Sequence, residues 1–418
     1  MVNFIYGIMF VLGIPFLAYC LYNLVLGLVG YRHHTRYNEH VPKNRICAVV
    51  AARNEAGVIG NLIETLKAQN YPAELCGIYV LPNNCTDNTE EVARAHGANI
   101  YNVKREVRSK GAALEEFFDH MLASENPEDH FDAFCVFDAD NLADPGFFSA
   151  MNNALCDGEK IAQGYRDSKN PKDSWISGSQ SIFYWTLNRF MNLARYTIGG
   201  TAFLNGTGFM VSREVLENGG FRTFSMTEDI EFTTQSIIKG YRVAWVPQAL
   251  TYDEHPLTFD TSWKQRKRWS TGTIQCFSEY SPKLWKRFKE THDWRCADMI
   301  IYLSAPLMQV LLALYSISTF IVFGLLYVNT QVWSDSLTVA FVLLFGGVII
   351  SFLFATMVVK MEHHRIRDIS IKSIFSFWFF LFSWIAINAI CFYKPIKTWE
   401  PIAHTQSMNL SQVTGQFK

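Results

Sequence analysis

Two aspartates, Asp138 and Asp140, follow directly on a short apolar run in the sequence FDAFCVFDAD of residues 131–140. The run is rich in aromatic residues and too short for a typical helix, so it predicts a buried parallel strand. Ligands of open α/β sheets bind just beyond the carboxyl ends of such strands. Two carboxylates at that place could hold a divalent cation together with a diphosphate. The alternative is an acidic loop that caps the next helix, because Asp140 and Asn141 are good capping residues.

Two further polar motifs stand later in the chain. Residues 227–229, Thr-Glu-Asp, open a helical pattern and form either a helix cap with an acidic first turn or the source of a general base. Residues 265–269, QRKRW, combine a guanidinium that matches phosphate oxygens with a flat tryptophan face that suits a sugar ring. The alternative for this motif is a basic interfacial helix in which Arg266 and Lys267 meet anionic lipids.

The elements that must position these motifs alternate between strand and helix. Apolar runs at 46–52 (ICAVVAA) and 78–81 (IYVL) and a further run near Ile100 predict buried strands with helical patterns between them. This alternation predicts a mostly parallel sheet that is covered on both faces. No G-x-G-x-x-G follows the first strand, which argues against a dinucleotide site. Residues 174–204 predict either an amphipathic helix in the membrane interface or a helix packed on the soluble core.

The apolar residues are concentrated in four segments. Hydrophobic residues make up 49% of the 418 and charged residues only 18%. Segments 2–30, 299–328, 337–359 and 373–393 contain no Asp, Glu, Lys or Arg, and each is long enough to cross a bilayer. The first lacks the basic leader of a signal peptide, which predicts a retained anchor.

Charge and cysteine usage indicate which side of the membrane the parts of the chain face. The net charge of −1 gives no indication of a nucleic-acid partner. The nine cysteines form no C-x-x-C pair and fit a reducing cytoplasm. Basic clusters after the first segment, before the second and after the third predict that these flanks are cytoplasmic. Four crossings would then put the tail outside, although it opens with Lys394 and Lys397, so its side stays open.

Taken in order between membrane segments, the three motifs resemble those of the membrane-integrated family 2 glycosyltransferases, such as cellulose, hyaluronan, chitin and poly-N-acetylglucosamine synthases. The resemblance covers roughly residues 45–275. It implies a GT-A fold, an α/β domain with a Rossmann-like, mostly parallel sheet, followed by transmembrane and interfacial helices. It also implies a nucleotide-sugar donor, usually UDP-linked, Mg²⁺ or Mn²⁺ as cofactor, and a polysaccharide or oligosaccharide acceptor at the lipid bilayer.

The resemblance assigns roles to matching positions. Asp140 corresponds to the metal-contacting aspartate, with Asp138 beside it and the nucleotide. Within 227–229, Asp229 corresponds to the general base, accompanied by Thr227 and Glu228. Gln265, Arg268 and Trp269 correspond to a clamp for the diphosphate and the acceptor. The donor site corresponds to Ala51, Arg53, Glu55, Asn83 and Lys110. The alternative for Lys110 is a solvated lysine.

One position departs from the family pattern. Relatives commonly place an aspartate at the end of the second strand, where this chain has Asn83-Asn84, so a contact to the nucleotide would become neutral. The tail segment Trp399–Ile402 resembles the W-x-P-type segments of some bacterial members, or else it supplies an interfacial aromatic anchor.

These observations predict a multi-pass protein of the cell membrane with a cytoplasmic catalytic domain. The expected function is inverting, processive transfer of a sugar to a growing polysaccharide, coupled to export. The alternative is a nonprocessive transfer to a polyprenyl phosphate or glycolipid. The predicted units are an anchor at 1–30, a GT-A domain at 31–280 with an interfacial helix near 174–204, an interfacial helix and transmembrane helices within 281–398 (about 299–328, 337–359 and 371–393), and a tail at 399–418.

Overall fold

The computed structural model describes residues 2–31, 34–107, 109–327, 333–363, 369–396 and 407–416. The described strands form one eight-stranded sheet in the order β3-β2-β1-β4-β7-β6-β8-β5. The strands are β1 (Ile46–Ala52), β2 (Cys76–Pro82), β3 (Asn99–Ile100), β4 (Ala133–Asp138), β5 (Leu142–Ala143), β6 (Ile161–Ser168), β7 (Phe209–Ser212) and β8 (Val243–Asp253).

The described helices fall into two groups. Those around the sheet are α2 (Ile59–Lys67), α3 (Thr89–Ala95), α4 (Lys110–Ala123), α5 (Phe147–Cys156), α6 (Trp175–Thr186), α7 (Ala194–Thr197), α8 (Arg213–Glu217) and α9 (Glu228–Ile238). The others are α1 (Val2–Gly30), α10 (Phe259–Thr291), α11 (Trp294–Leu303), α12 (Ala305–Tyr327), α13 (Trp333–His363), α14 (Ile371–Tyr393) and α15 (Leu410–Gln416).

The strand directions determine at which edge of the sheet a ligand would bind. β1 pairs in parallel with β2 and β4, and Ala51 lies opposite Leu81 on one side and Asp138 on the other. β7 is antiparallel to both β4 and β6, and β6 is parallel to β8. The strands β1, β2, β4, β6 and β8 therefore all end at the same edge, where ligands of such sheets bind.

Apolar side chains cover the two faces of the sheet in separate clusters. Alternate residues of β1 point to opposite faces, as in any strand. Val50 packs with Leu62 of α2 on one face, whereas Val49 packs with Phe117 and Phe118 of α4 on the other. The sheet is thus a buried central layer between two apolar clusters.

The segment predicted as an amphipathic helix over 174–204 is helical through Thr197, with a π-helical stretch at Leu187–Leu193. Its apolar residues Ile176, Ile182 and Trp185 are buried against Val358 of α13 and Phe377 of α14. The helix lies between the sheet and the apolar C-terminal helices, and its position in a membrane interface stays a prediction.

Four of the described helices are long and apolar enough to cross a membrane: Gly7–Gly30, Ala305–Val322, Phe345–Glu362 and Ile371–Tyr393. The continuous helix predicted over 299–328 is divided, because α11 ends at Leu303 and α12 begins at Ala305. The prediction for Trp399–Ile402 lies outside the described residues.

Candidate functional site

The aspartate at the end of β4 is held by the loop that precedes β7. The backbone N–H of Asp138 donates a hydrogen bond to Thr207 Oγ1 at 3.0 Å. The preceding residue of that loop, Gly206, has a φ of +84°, a conformation that favours glycine. Asp138 is thereby fixed with its carboxylate at the sheet edge.

Lys110 joins this carboxylate to the helix that carries the predicted base. Its Nζ donates to Asp138 Oδ1 at 2.5 Å and to the Gly206 carbonyl at 2.6 Å, and it lies 3.8 Å from Glu228 Oε1. Burial alone would raise the pKa of Asp138, but the charge and hydrogen bond of Lys110 outweigh it and hold that pKa below its ordinary value. Burial opposes the charge of Lys110 as well, yet the surrounding carboxylates raise its pKa. Lys110 is therefore a bridging cation of the site and not a solvated surface lysine.

Asp229 sits in the first turn of α9. Thr227 occupies the N-cap position, but in the described structure its side chain makes no capping hydrogen bond. Asp229 Oδ1 accepts the N–H of Ile230 at 2.8 Å. Burial first, and the neighbouring charge of Glu228 second, raise the pKa of Asp229 to about 7, although Lys110 opposes the shift. A carboxyl with this pKa can accept a proton near neutral pH.

Close glycine contacts fix the position of α9. A Cβ on Gly272 of α10 would lie 2.3 Å from Thr227 Oγ1. A Cβ on Gly111 of α4 would lie 3.1 Å from Glu228 Cβ, and one on Gly206 would lie 3.3 Å from Asp229 Oδ2. The backbone at Gly272 therefore approaches Thr227 more closely than a larger residue allows, and the backbones at Gly111 and Gly206 leave little room beside Glu228 and Asp229.

The three predicted clamp residues, Gln265, Arg268 and Trp269, lie within two turns of α10. Gln265 Oε1 accepts a hydrogen bond from Gln180 Nε2 of α6 at 2.8 Å. The ring of Trp269 lies edge-on to Tyr184 at 6.0 Å and stacks on Trp384 of α14 at 6.1 Å. The charge of Arg268 contributes to the lowered pKa of Asp138 and opposes the raised pKa of Asp229. Arg268 is therefore close enough to act electrostatically on both Asp138 and Asp229.

The interpretation of Arg266 as a lipid-facing residue is wrong. Its side chain is fully buried. The guanidinium donates to the Phe380 carbonyl at 3.0 Å and to Ser383 Oγ at 2.6 Å, and it lies 4.3 Å from the centre of the Phe380 ring. Helical periodicity explains the difference, because Arg266 lies on the face of α10 that packs against α14.

The predicted donor side consists of the loops after β1 and β2, which are tied together. Asn54 has a φ of +60°, and its Oδ1 accepts the N–H of Thr86 at 2.7 Å. The N–H of Glu55 donates to Thr89 Oγ1 at 2.8 Å, and the N–H of Asn83 donates to the Ala52 carbonyl at 2.9 Å. Arg53 lies in this tied segment, directly after β1, whose Ala51 is opposite Asp138.

Several charged residues at the same edge were not predicted from the sequence. Lys169, which is buried, donates through Nζ to the backbone carbonyl of Asp140. Asn141 Nδ2 donates to Asp253 Oδ1 at 2.7 Å, and Asp253 forms a buried ion pair with Arg166. Asp253 is the last residue of β8, as Asp138 is of β4, whereas Arg166 lies two residues before the end of β6. The rule that selected Asp138, a polar residue where an apolar strand ends, would have found Asp253 but not Arg166.

His255 follows β8 and is buried and stacked on Tyr184 at 5.2 Å. Burial and the Arg166 charge lower the pKa of His255 to about 3, so its imidazole is neutral. Its Nε2 has no hydrogen-bond partner among the described residues. A neutral imidazole nitrogen is able to bind a metal ion.

The donor types at this edge fit a divalent cation. Asp138 and Asp140 offer carboxylate oxygens, the ligands that Mg²⁺ and Mn²⁺ prefer. Within the described parts of the chain, no group of three acidic, histidine or cysteine side chains is placed to hold a metal ion. Oxygen atoms of a bound diphosphate would complete such a site, as in other enzymes that bind Mg²⁺ through one or two carboxylates and substrate phosphates.

Comparison with known proteins bears on this site. Residues 42–272 match the family model described as glycosyltransferase like family 2. The probable glycosyltransferase YdaM of Bacillus subtilis is 25% identical over 272 residues, which are 60% of this chain and 62% of that protein. The β-monoglucosyldiacylglycerol synthase of Synechocystis is 25% identical over 265 residues, 59% of this chain and 53% of that protein. The poly-β-1,6-N-acetyl-D-glucosamine synthase of Staphylococcus aureus is 25% identical over 232 residues, 54% of each chain. The chain thus spans between half and two thirds of the length of these curated relatives.

Among solved structures, the mannosyltransferase PcManGT of Pyrobaculum calidifontis, in complex with GDP-Man and Mn²⁺, superposes with a TM-score of 0.61 at 16% identity. The likeness covers 93% of this chain and 98% of that one. At this identity it shows the fold alone. The predicted GT-A architecture, a mostly parallel sheet followed by a helical C-terminal region with candidate membrane spans, is confirmed.

Proposed function

Because the chain belongs to glycosyltransferase family 2, we propose that it is an inverting enzyme that transfers a sugar from a UDP-sugar to a growing polysaccharide at the membrane. The observation that carries this proposal is the arrangement around Lys110. This lysine bridges Asp138 at the sheet edge and Glu228 on α9. It brings the donor end of the site next to a carboxyl, Asp229, whose pKa of about 7 suits proton transfer.

On the donor side, the tied loops after β1 and β2 hold the nucleotide. Ala51, Arg53 and Glu55 border the base, and Asn83 supplies a neutral contact where relatives have a carboxylate. A divalent cation bound by Asp140 and Asp138 would neutralise the charge of the diphosphate when it is present. Lys110 and Arg268 add positive charge at the same end, and preorganised charge of this kind stabilises a departing anion.

On the acceptor side, Asp229 removes the proton from the attacking hydroxyl. The hydroxyl oxygen forms a bond to the anomeric carbon while the bond from that carbon to the diphosphate oxygen breaks, so the configuration inverts. The proton passes to the Asp229 carboxylate and the electron pair leaves with the nucleoside diphosphate. Glu228 remains paired with Lys110, which keeps the two neighbouring carboxylates in different roles.

The aromatic rings favour a saccharide acceptor that stays bound between cycles. Trp269 contacts both Tyr184 and Trp384, which offer flat faces to sugar rings beside Asp229. A chain held there could be extended processively and guided toward the membrane helices for export. A second candidate is single transfer to a glycolipid. It is supported by the contact of Trp269 with α14, a helix apolar enough to meet lipid, and by the similarity to a β-monoglucosyldiacylglycerol synthase.

A donor screen with product analysis tests the proposal. The full chain in nanodiscs is incubated with UDP-sugars and GDP-mannose, with Mg²⁺ or Mn²⁺, with and without oligosaccharide or lipid acceptors. We expect release of UDP and products of many sugar units. Products that carry one sugar on a lipid would select the second candidate. Absence of nucleotide release with every donor and acceptor would refute both.

The base assignment is tested in the same assay. We expect Asp229→Asn to lower turnover by about 10²- to 10⁴-fold, the usual contribution of a general base, with unchanged donor affinity. Asp119→Asn, a surface carboxylate paired with Arg222, is the matched control and should retain activity. Turnover near the wild-type value in Asp229→Asn would exclude this residue as the base.

A further inference from the structure

Helix α14 has the length and composition of a membrane span, but its contacts are those of a helix that lies along the catalytic half. It contains 23 residues, so it is about 35 Å long, enough to cross a bilayer. A crossing helix has one end on each side of the membrane. The contacts of its two ends therefore show whether α14 crosses.

The first turn of α14 packs on α6, which belongs to the catalytic half. Ser179 Oγ donates a hydrogen bond to the Ser373 carbonyl at 3.2 Å. The backbones are so close that a Cβ on Gly178 would lie 2.1 Å from Ser373 Oγ. Two residues further on, Phe375 stacks on Phe352 of α13 with the ring centres 4.7 Å apart.

The last turns of α14 also pack on the catalytic half, in this case on α10. Asn388 Oδ1 accepts a hydrogen bond from Ser270 Oγ at 2.6 Å, and Cys391 Sγ donates to the Lys267 carbonyl at 3.5 Å. Asn388 Nδ2 also donates to Gln309 Oε1 at 2.9 Å. Gln309 lies in the first turns of α12, near its junction with the catalytic half.

The C-terminal end of α13 is anchored on the same side. Glu362, next to the last residue of α13, forms a buried ion pair with Arg189 of the π-helical stretch. It also accepts a hydrogen bond from Tyr165 of β6 at 2.6 Å. α14 thus runs from the end of α13 to the beginning of α12, and both of these ends contact the catalytic half. A helix with both ends at one membrane face does not cross.

We infer that α14 is a membrane-surface helix whose outer face binds the lipid leaflet next to the catalytic domain, and that α12 and α13 are the helices that cross the membrane in the described part of the chain after that domain. The outer face is aromatic: Phe375, Phe382 and Phe392 are 59%, 54% and 43% exposed. Interfacial helices bury such a face at the boundary of headgroups and acyl chains. This inference does not depend on the proposed function.

The inference also resolves the charge conflict in the sequence. With α14 as a fourth crossing, Lys394 and Lys397 would lie on the side opposite to the other basic clusters. With α14 on the surface, all of these clusters stay on one side, as the distribution of Lys and Arg around membrane segments requires. The opposite face of α14, formed by Phe380, Ser383 and Trp384, packs on the clamp helix α10. Trp384 stacks on Trp269, and Phe380 and Ser383 accept hydrogen bonds from Arg266.

Tag accessibility tests the side of the tail. One epitope is added after Lys418 of the full chain and another is inserted at Glu125, an exposed loop residue of the catalytic half. Right-side-out and inverted vesicles are then treated with protease. We expect both tags to be cleaved from the same side. Cleavage from opposite sides would overturn the inference.

Depth measurements test the helix itself and do not depend on the tags. Nitroxides are placed singly at Phe375, Phe382 and Phe392, and at Leu311 and Ile317 of α12 as controls. A crossing α14 would put Phe382 about 10 Å deeper than Phe375 at 1.5 Å per residue. We expect the three α14 positions to share a shallow depth, while the two control positions differ by about 9 Å. A deep Phe382 between two shallow neighbours would refute the surface position.

Discussion

Replacing Glu228 by Gln tests the electrostatic account of the site, because this residue affects Asp229 mainly through its charge. Burial and Glu228 together raise the pKa of Asp229 to about 7. Gln keeps the size of the side chain and removes the negative charge. The base must be ionised to accept a proton, so activity falls as the pH drops through the pKa of Asp229. In a plot of activity against pH, the fall on the acidic side (the acidic limb) is therefore expected near pH 7 for the wild-type enzyme.

The size of the effect follows from Coulomb's law. Two like charges about 7 Å apart repel by roughly 2 kcal/mol at an effective dielectric constant of about 20. About 1.4 kcal/mol corresponds to a tenfold change in an ionisation constant. Glu228→Gln should therefore lower the pKa of Asp229 by roughly 1 to 1.5 and move the acidic limb to between about pH 5.5 and 6. Burial, the larger cause, is unchanged and keeps the limb above that of an ordinary aspartate.

The assay is the pH dependence of kcat/KM for the donor, which reports groups of the free enzyme. Glu214→Gln is the matched control, since Glu214 pairs with Lys160 on the surface and should leave the limb in place. An acidic limb that does not move in Glu228→Gln, in a variant with wild-type thermal stability, would refute the coupling of the two carboxyls. A limb that moves to higher pH would contradict the account as well, because loss of the Glu228 charge removes a repulsion and leaves the attraction of Lys110 in place.

Three further outcomes are expected. Gly272→Ala places a Cβ 2.3 Å from Thr227 Oγ1. It should therefore lower the free energy of unfolding by about 1–3 kcal/mol, measured by thermal unfolding, and reduce turnover. The control Gly346→Ala, whose added Cβ would have no described atom within 4 Å, should change neither. Trp269→Ala should raise the acceptor KM about tenfold, equivalent to about 1.4 kcal/mol, and leave the donor KM unchanged; an unchanged acceptor KM would exclude the tryptophan as an acceptor contact. Removal of divalent cations by EDTA should abolish turnover and Mn²⁺ or Mg²⁺ should restore it; full activity in EDTA would remove the metal from the proposal.

The sequence by itself indicated the class of the fold and the positions of the acidic motifs. The apolar runs at 46–52 and 131–140 predict buried strands because only short, continuous apolar segments fit a sheet covered on both faces. Polar residues at the ends of parallel strands collect at one edge of the sheet, so the sequence predicts that Asp138 and Asp140 lie there. Asp229 was selected through its motif, because an acidic helix start alone is equally typical of a cap.

Only the tertiary structure decided which of these residues contact one another. The pairing of Lys110 with Asp138 and Glu228 joins residues that are 28 and 118 positions apart, and local patterns carry no information about such contacts. The same holds for the buried pair of Arg166 with Asp253 and for the packing of Arg266 under α14.

Composition determined that 371–393 is apolar, since hydropathy is a property of the residues themselves. It did not determine what those residues contact. An apolar helix of this length can cross a bilayer or lie between a protein and a lipid surface, because both surroundings remove apolar side chains from water. The contacts of Ser373 with α6 and of Asn388 with α10 separate the two cases, and they exist only after the chain has folded.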